Sequence, residues 1–219
     1  MRVSESKEIG QRREIMIREH LIGRGIHNSA VLDAMREVPR EEFVEPGIRD
    51  LAYEDHPLHI DEGQTISQPY IVAYMTECLE LSASDRVLEI GTGSGYAAAV
   101  LSRIVDKVYT VERLPGLAQN ARQRLQMMGY TNIDIHVGDG TLGWPEHSPY
   151  DAIVVTACAP RIPQPLIEQL AVGGRLVIPV GGYTFNQVLV RLCRISEQDY
   201  RREELCGVSF VPLIGADGW

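Results

Sequence analysis

Between residues 86 and 180 the chain alternates short apolar runs with amphipathic stretches. RVLEI (86–90), KVYTV (107–111), IDIHV (133–137), AIVVT (152–156) and RLVIPV (175–180) read as strands. Residues 96–104, 117–128 and 166–170 carry helical periodicity; Gly129 stops the second of these, and Gly173 with Gly174 the third. Ala97, Ala98, Ala99 and Ser102 leave the first of them narrow enough to pack closely on a sheet. Strand and helix in regular alternation predict a parallel α/β sheet covered on both faces. After residue 180 the pattern changes: 187–195 and 208–213 read as strands with no helix between them, which predicts an antiparallel C-terminal edge. Ahead of the sheet, Ile9, Ile15, Met16, Leu21 and Ile22 punctuate a charged stretch, so an amphipathic helix is expected over 5–22. A second follows over 29–38, with Asn28 as N-cap and Pro39 as stop. Pro46, Pro57, Gly63 and Pro69 mark 40–69 as irregular, and a third helix runs from Tyr70 to about Glu80. The fold expected is α/β and Rossmann-like, with an N-terminal helical extension.

Composition bounds this picture. A chain of 219 residues, 44% hydrophobic, suffices for one domain over 1–219. It divides into a helical and loop extension (1–82), a cofactor-binding core (83–195) and a C-terminal strand and tail (196–219). With 21 basic and 30 acidic residues the formal charge is −9, which argues against a nucleic-acid partner. The pairs Arg12–Arg13 and Arg201–Arg202 read as solvated surface, the second followed at once by Glu203 and Glu204. Cys78, Cys158, Cys193 and Cys206 show no C-x-x-C spacing and no histidine pattern joins them, so no metal site is expected. The N-terminal residues are charged throughout and no apolar run reaches the ~18–20 residues of a membrane span. A reduced, cytoplasmic monomer without a membrane partner is the expectation.

The chemistry concentrates at the predicted strand ends. V-L-E-I-G-T-G-S-G-Y (87–96) lies between a strand and a helix. Alone it fits either a tight turn or a nucleotide-binding loop. A dinucleotide fingerprint needs glycine at 96, where Tyr96 stands; the third glycine is Gly95. The G-x-G-x-G form is the usual one in S-adenosylmethionine methyltransferases, and makes Glu89, Gly91, Thr92, Gly93, Ser94 and Gly95 candidate cofactor residues. Glu112 ends the next strand, where an acid can accept hydrogen bonds from both ribose hydroxyls; the alternative is an exposed loop glutamate. In G-D-G-T (138–141), Asp139 is placed to accept from the adenine amino group and the Gly140 backbone to lie against the ring. Three features at the ends of three successive strands converge on the carboxyl edge of the sheet, where open α/β folds bind ligands. D-E-G-Q-T-I-S-Q-P-Y (61–70) offers the hydroxyls of Thr65 and Ser67 beside a helix N-terminus, suited to an anion. Ser67 or Gln68 could equally serve as a simple helix cap.

At T-I-S-Q-P (65–69), preceded by Gly63-Gln64, the chain resembles the protein-L-isoaspartate O-methyltransferases, which repair damaged aspartyl and asparaginyl residues. The resemblance continues through E-I-G-T-G-S-G-Y, V-G-D-G (137–140), Y-D-A-I-V-V-T-A (150–157), G-G-R-L-V-I-P-V-G (173–181) and V-S-F-V-P-L (208–213), covering roughly residues 20–213. It implies S-adenosylmethionine as cofactor, S-adenosylhomocysteine as product, and isoaspartyl-containing proteins and peptides as partners, and leaves acceptance of D-aspartyl residues open. It implies that Ser67 is the active-site serine that holds the acceptor carboxylate. Gln64, Thr65, Ile66 and Ser67 resemble a lid over the cofactor; Glu112 matches the ribose acid, Asp139 and Gly140 the adenine contacts. Glu89 stands where many members have Asp, and Cys158 interrupts a run of alanines; its thiol is either near the site or a small packing group. A small-molecule or RNA methyltransferase on the same fold is the alternative, and a catalytically inactive binding module a third reading. No basic cleft supports the RNA reading, and Ser67 and the glycines that an inactive module would lack are all present.

Overall fold

The computed structural model describes residues 3–219. Helix α1 (Val3–Ile15) runs into a π-helical turn, Met16–Leu21, then a 3-10 turn, Ile22–Arg24, closed by Gly25 at φ +95°. The single helix expected over 5–22 therefore changes pitch. Met16, Ile17 and Leu21 are buried, and the five-residue step from Met16 to Leu21 suits an i→i+5 turn. Helix α2 (Ser29–Glu37) is capped as expected: Asn28 Oδ1 accepts from the amides of Ala30 (3.0 Å) and Val31 (3.2 Å). The stretch read as irregular holds 3-10 turns and a two-strand ribbon, β1 (Leu58–His59) antiparallel to β2 (Thr65–Ile66). Helix α3 (Pro69–Cys78) follows, with Pro69 in its first turn.

The core comprises β3 (Arg86–Ile90), α4 (Tyr96–Ser102), β4 (Lys107–Glu112), α5 (Pro115–Met127), β5 (Ile133–Val137), β6 (Tyr150–Val155), α6 (Gln164–Glu168), β7 (Leu170–Gly181), β8 (Gln187–Arg194) and β9 (Tyr200–Val208). The sheet order is β5–β4–β3–β6–β7–β8–β9; the first five strands are parallel and the last two antiparallel. Two boundaries differ from the sequence reading. The sixth helix ends early because Leu170 pairs with Tyr150, so β7 begins there and not at residue 175. The last strand lies at 200–208, not 208–213. Its residues YRREELCGV are mostly polar because it is an open sheet edge. Residues 211–213 instead cross Cys158, whose amide donates to Val211 O and whose carbonyl accepts from Leu213 N.

Successive strand residues face opposite sides. Val87 and Val108 join Met16, Met35, Phe43 and Tyr96 in one core, while Leu88, Ile90 and Ile153 join Leu166 in the other. Each such side chain contributes roughly 1.5–3 kcal/mol by leaving water. Fully buried Arg40 lies over the Tyr96 ring, 4.8 Å from its centroid, and its Nε donates to Ala52 O. The N-terminal extension thus braces the helix that follows the glycine loop.

Candidate active site

The glycine loop leaves β3 with Gly91, Gly93 and Gly95 at φ +97°, +53° and +89°, the left-handed region where a side chain is disfavoured. A Cβ at Gly91 would sit 2.3 Å from Thr156 Oγ1, whose hydroxyl donates to Gly91 O. Gly95 serves packing: a Cβ there would lie 3.3 Å from Leu125 of α5. Glu112, at the end of β4 and 6% exposed, accepts from Gly93 N at 2.9 Å and Leu114 N at 3.0 Å. Its carboxylate fixes the loop and keeps lone pairs for a ligand. Beneath the loop, Thr92 Oγ1 and Thr110 Oγ1 share a 2.7 Å hydrogen bond, and Thr110 donates to Glu89 Oε2 at 2.6 Å. Burial pushes the Glu89 carboxyl up to about 8, against the Thr110 hydrogen bond and with help from the charge of Glu112.

Above the carboxyl edge opens a cavity of ≈ 1110 Å³. Gln64, Thr65, Ile66 and Ser67 form one wall; Gly91, Thr92, Gly93, Ser94 and Glu112 form another, with Gly140 between strand ends. A Cβ at Gly140 would lie 2.4 Å from Ile90 Cγ2, so only glycine allows this close backbone wall. The N-cap position of α3 falls on Gln68, not Ser67. The Gln68 side chain makes no cap bond; its Nε2 donates to Asp55 O (2.9 Å) and Oδ2 (2.8 Å), while Tyr70 N donates to Asp55 Oδ1. Ser67 thus lines the cavity, and its hydroxyl has no hydrogen-bond partner among the described residues.

Glu89, Gly95 and Asp139 do not reach the cavity wall. Asp139 accepts from Thr141 N, Thr141 Oγ1 and Ala216 N; partial burial opposes ionisation, but these bonds hold its carboxyl below the usual range. The carboxylate placed against adenine by the sequence is thus engaged with the C-terminal segment. Cys158 is also off the wall: it is fully buried, and burial pushes its thiol up to about 11. Sequence reasoning passed over Arg24, Tyr70, Tyr183, Asn186 and Phe210, which line the cavity. They come from distant parts of the chain, and only the topology assembles them.

The donor set fits S-adenosylmethionine: a carboxylate for a diol, a glycine cradle, and Val111 and Leu114 as apolar surface for a planar base. Sheet order, glycine loop and strand-end acid together define a Rossmann-like S-adenosylmethionine-dependent methyltransferase. Solved structures share the fold. One is a protein-L-isoaspartate O-methyltransferase, 31% identical, with TM-score 0.84 over 94% of this chain and 67% of the other. Another is a beta-aspartate methyltransferase from Plasmodium falciparum in complex with S-adenosyl-L-homocysteine, 26% identical, with TM-score 0.79 over 92% of this chain and 97% of the other.

The chain belongs to the protein-L-isoaspartate(D-aspartate) O-methyltransferase family, whose profile matches residues 11–218. Protein-L-isoaspartate O-methyltransferase 2 of Pelobacter propionicus is 73% identical over 208 residues, 95% of this chain and 92% of its own. Protein-L-isoaspartate O-methyltransferase 1 of Geotalea uraniireducens is 68% identical over the whole of both chains. The expected fold, cofactor and repair activity follow from that membership.

Proposed function

We propose that Ser67 positions the free carboxylate of L-isoaspartyl residues in damaged proteins and peptides for methylation, at the meeting point of cofactor and peptide. The observation that carries this is the single cavity joining Glu112 and the glycine loop to an uncommitted Ser67 hydroxyl. S-adenosylmethionine supplies a methyl group already activated on a sulfonium. Glu112 would hold the ribose hydroxyls, and the Gly140 backbone would flank the base. Glu89 and Asp139 act from behind the wall, Glu89 through the Thr110–Thr92 chain and Asp139 by pinning the turn that carries Gly140. An acceptor carboxylate with a pKa of about 4 is ionised at neutral pH, so no residue must remove a proton. The task left to the protein is alignment. A neutral hydroxyl suits it, because charge disappears as the bond forms and a cation clamped on the acceptor would stabilise the ground state more than the transition state.

The chain is read as one domain, a cytoplasmic monomer that acts on peptide. Arg24 and Arg113 are the only cations among the described residues lining the cavity, which gives an RNA backbone little to hold. No helix among the described residues is long and apolar enough to cross a membrane, and the four cysteines are free. The test is transfer of labelled methyl to an isoaspartyl peptide beside its normal aspartyl twin; only the former should be labelled. Ser67→Ala should lower kcat/KM about ten- to a hundredfold at unchanged Tm, and the wild-type rate should be nearly flat from about pH 6 to 8. A variant that melts several degrees lower yet methylates normally would make the serine structural.

A further inference from the structure

The cavity lining also holds side chains to which the reading above gives no task. Among them, Arg24 leaves its 3-10 turn and lies over the Tyr70 ring, its guanidinium carbon 3.5 Å from the ring centroid. Tyr70 is itself stacked on Tyr74, with centroids 5.7 Å apart and planes 8° from parallel. Arg24 Nη1 donates to Asp55 Oδ2 at 2.5 Å, and Asp55 is held in turn by Gln68 Nε2 and Tyr70 N. An aromatic platform and a carboxylate thus fix the plane of the guanidinium. Its Nε and Nη2 protons have no acceptor among the described residues, and its side chain is 44% exposed. Cys206, Gly207 and Val208 of β9 line the same cavity as Arg24. The other lining cation, Arg113, directly follows Glu112 in the chain.

We infer that Arg24 binds a second carboxylate of the peptide, an aspartyl or glutamyl side chain or a chain terminus lying one to three residues from the isoaspartyl residue. The inference rests on the peptide-methylating reading above. Ser67 and Tyr70 are three residues apart across the start of α3, and an extended peptide covers about 10 Å in three residues. A carboxylate so placed meets a guanidinium already oriented, so little freedom is lost on contact. Asp55 neutralises part of the charge, so the preference is modest. With a formal charge of −9 the protein repels acidic segments from most of its surface, and this cation marks where one is accepted.

The test is a set of isoaspartyl peptides in which one flanking position at a time is Glu, Gln or Lys. For wild type, kcat/KM should favour Glu over Gln about five- to tenfold at one or more positions, through KM. Arg24→Gln should bring that ratio within about twofold, leaving the Gln peptide and cofactor affinity near wild type. Arg24→Lys keeps the charge without the planar fork, and should retain a smaller preference; it serves as the test if the Gln variant does not fold. A wild-type ratio of one or less at every position overturns the inference. So does an equal loss on all peptides in Arg24→Gln, since Arg24 would then merely brace Asp55. Absence of any wild-type methylation of the Gln peptide would instead count against the peptide-methylating reading itself.

Discussion

Glu89 sits at the penultimate position of β3, fully buried, with Oε2 bonded to Thr110 and Oε1 without a partner among the described residues. A carboxyl in that setting is held neutral by burial, with its pKa pushed up to about 8. An unfolded glutamate ionises near ~4.3. The folded value is the higher one, so the contribution of Glu89 to stability is complete at low pH and is lost as pH rises from about 4.5 through about 8. Glu89→Gln keeps the shape and cannot ionise. Its Tm relative to wild type should therefore climb between about pH 5 and 8, with each kcal/mol worth ~2–4 °C. An unchanging difference across that range would show that the carboxyl is already ionised in the fold. At this scale Gly91, Gly93 and Glu112, which line the cavity, could be singled out in the sequence because each lies at the end of a strand that could be read. Type and position alone do not reveal that the carboxylates of Glu89 and Asp139 also accept from Thr110 and Ala216.

Asp55 acts at the scale of elements. Its backbone oxygen and carboxylate take the Gln68 amide, and its other carboxylate oxygen takes the first turn of α3. The segment between β2 and α3, which carries Ser67, is tied down from behind. Asp55→Ala should lower kcat about ten- to a hundredfold through misplacement of the serine, while cofactor affinity stays within about threefold. Equal kcat with weaker cofactor binding would place the clamp under the cofactor and not under the acceptor. Legibility of the elements follows burial. β3, β4, β6 and the central part of β7 are covered on both faces and appear as continuous apolar runs. β9 has neither face fully covered, and its alternation is hidden among charges. The cluster of Arg24, Asp55 and Tyr70 left no local signature, since its members meet only through tertiary packing.

For the molecule as a whole, the sheet ends on two open edges, β5 and β9. β9 is lined by ion pairs: Arg201–Glu203 at 3.1 Å, Arg202–Glu204 at 3.5 Å, and Arg191 reaching Glu203 from β8 at 2.5 Å. Exposed pairs of this kind add little stability. The register shift between Leu189 and Val190 further disturbs the edge as a template. Replacing both Arg202 and Glu204 by Val should leave Tm within a few degrees of wild type but give concentration-dependent self-association in sedimentation. A variant that stays a single species at every concentration would show that the charges do not guard the edge. The consequence reaches past solubility. A repair enzyme spends its working life among chains that are locally opened and rich in unpaired backbone. A bare strand edge would recruit those chains as extra strands and hold them, turning a catalyst into a nucleus for deposits. With the rim charged, contact is confined to the cavity, where the damaged segment leaves once it has been methylated.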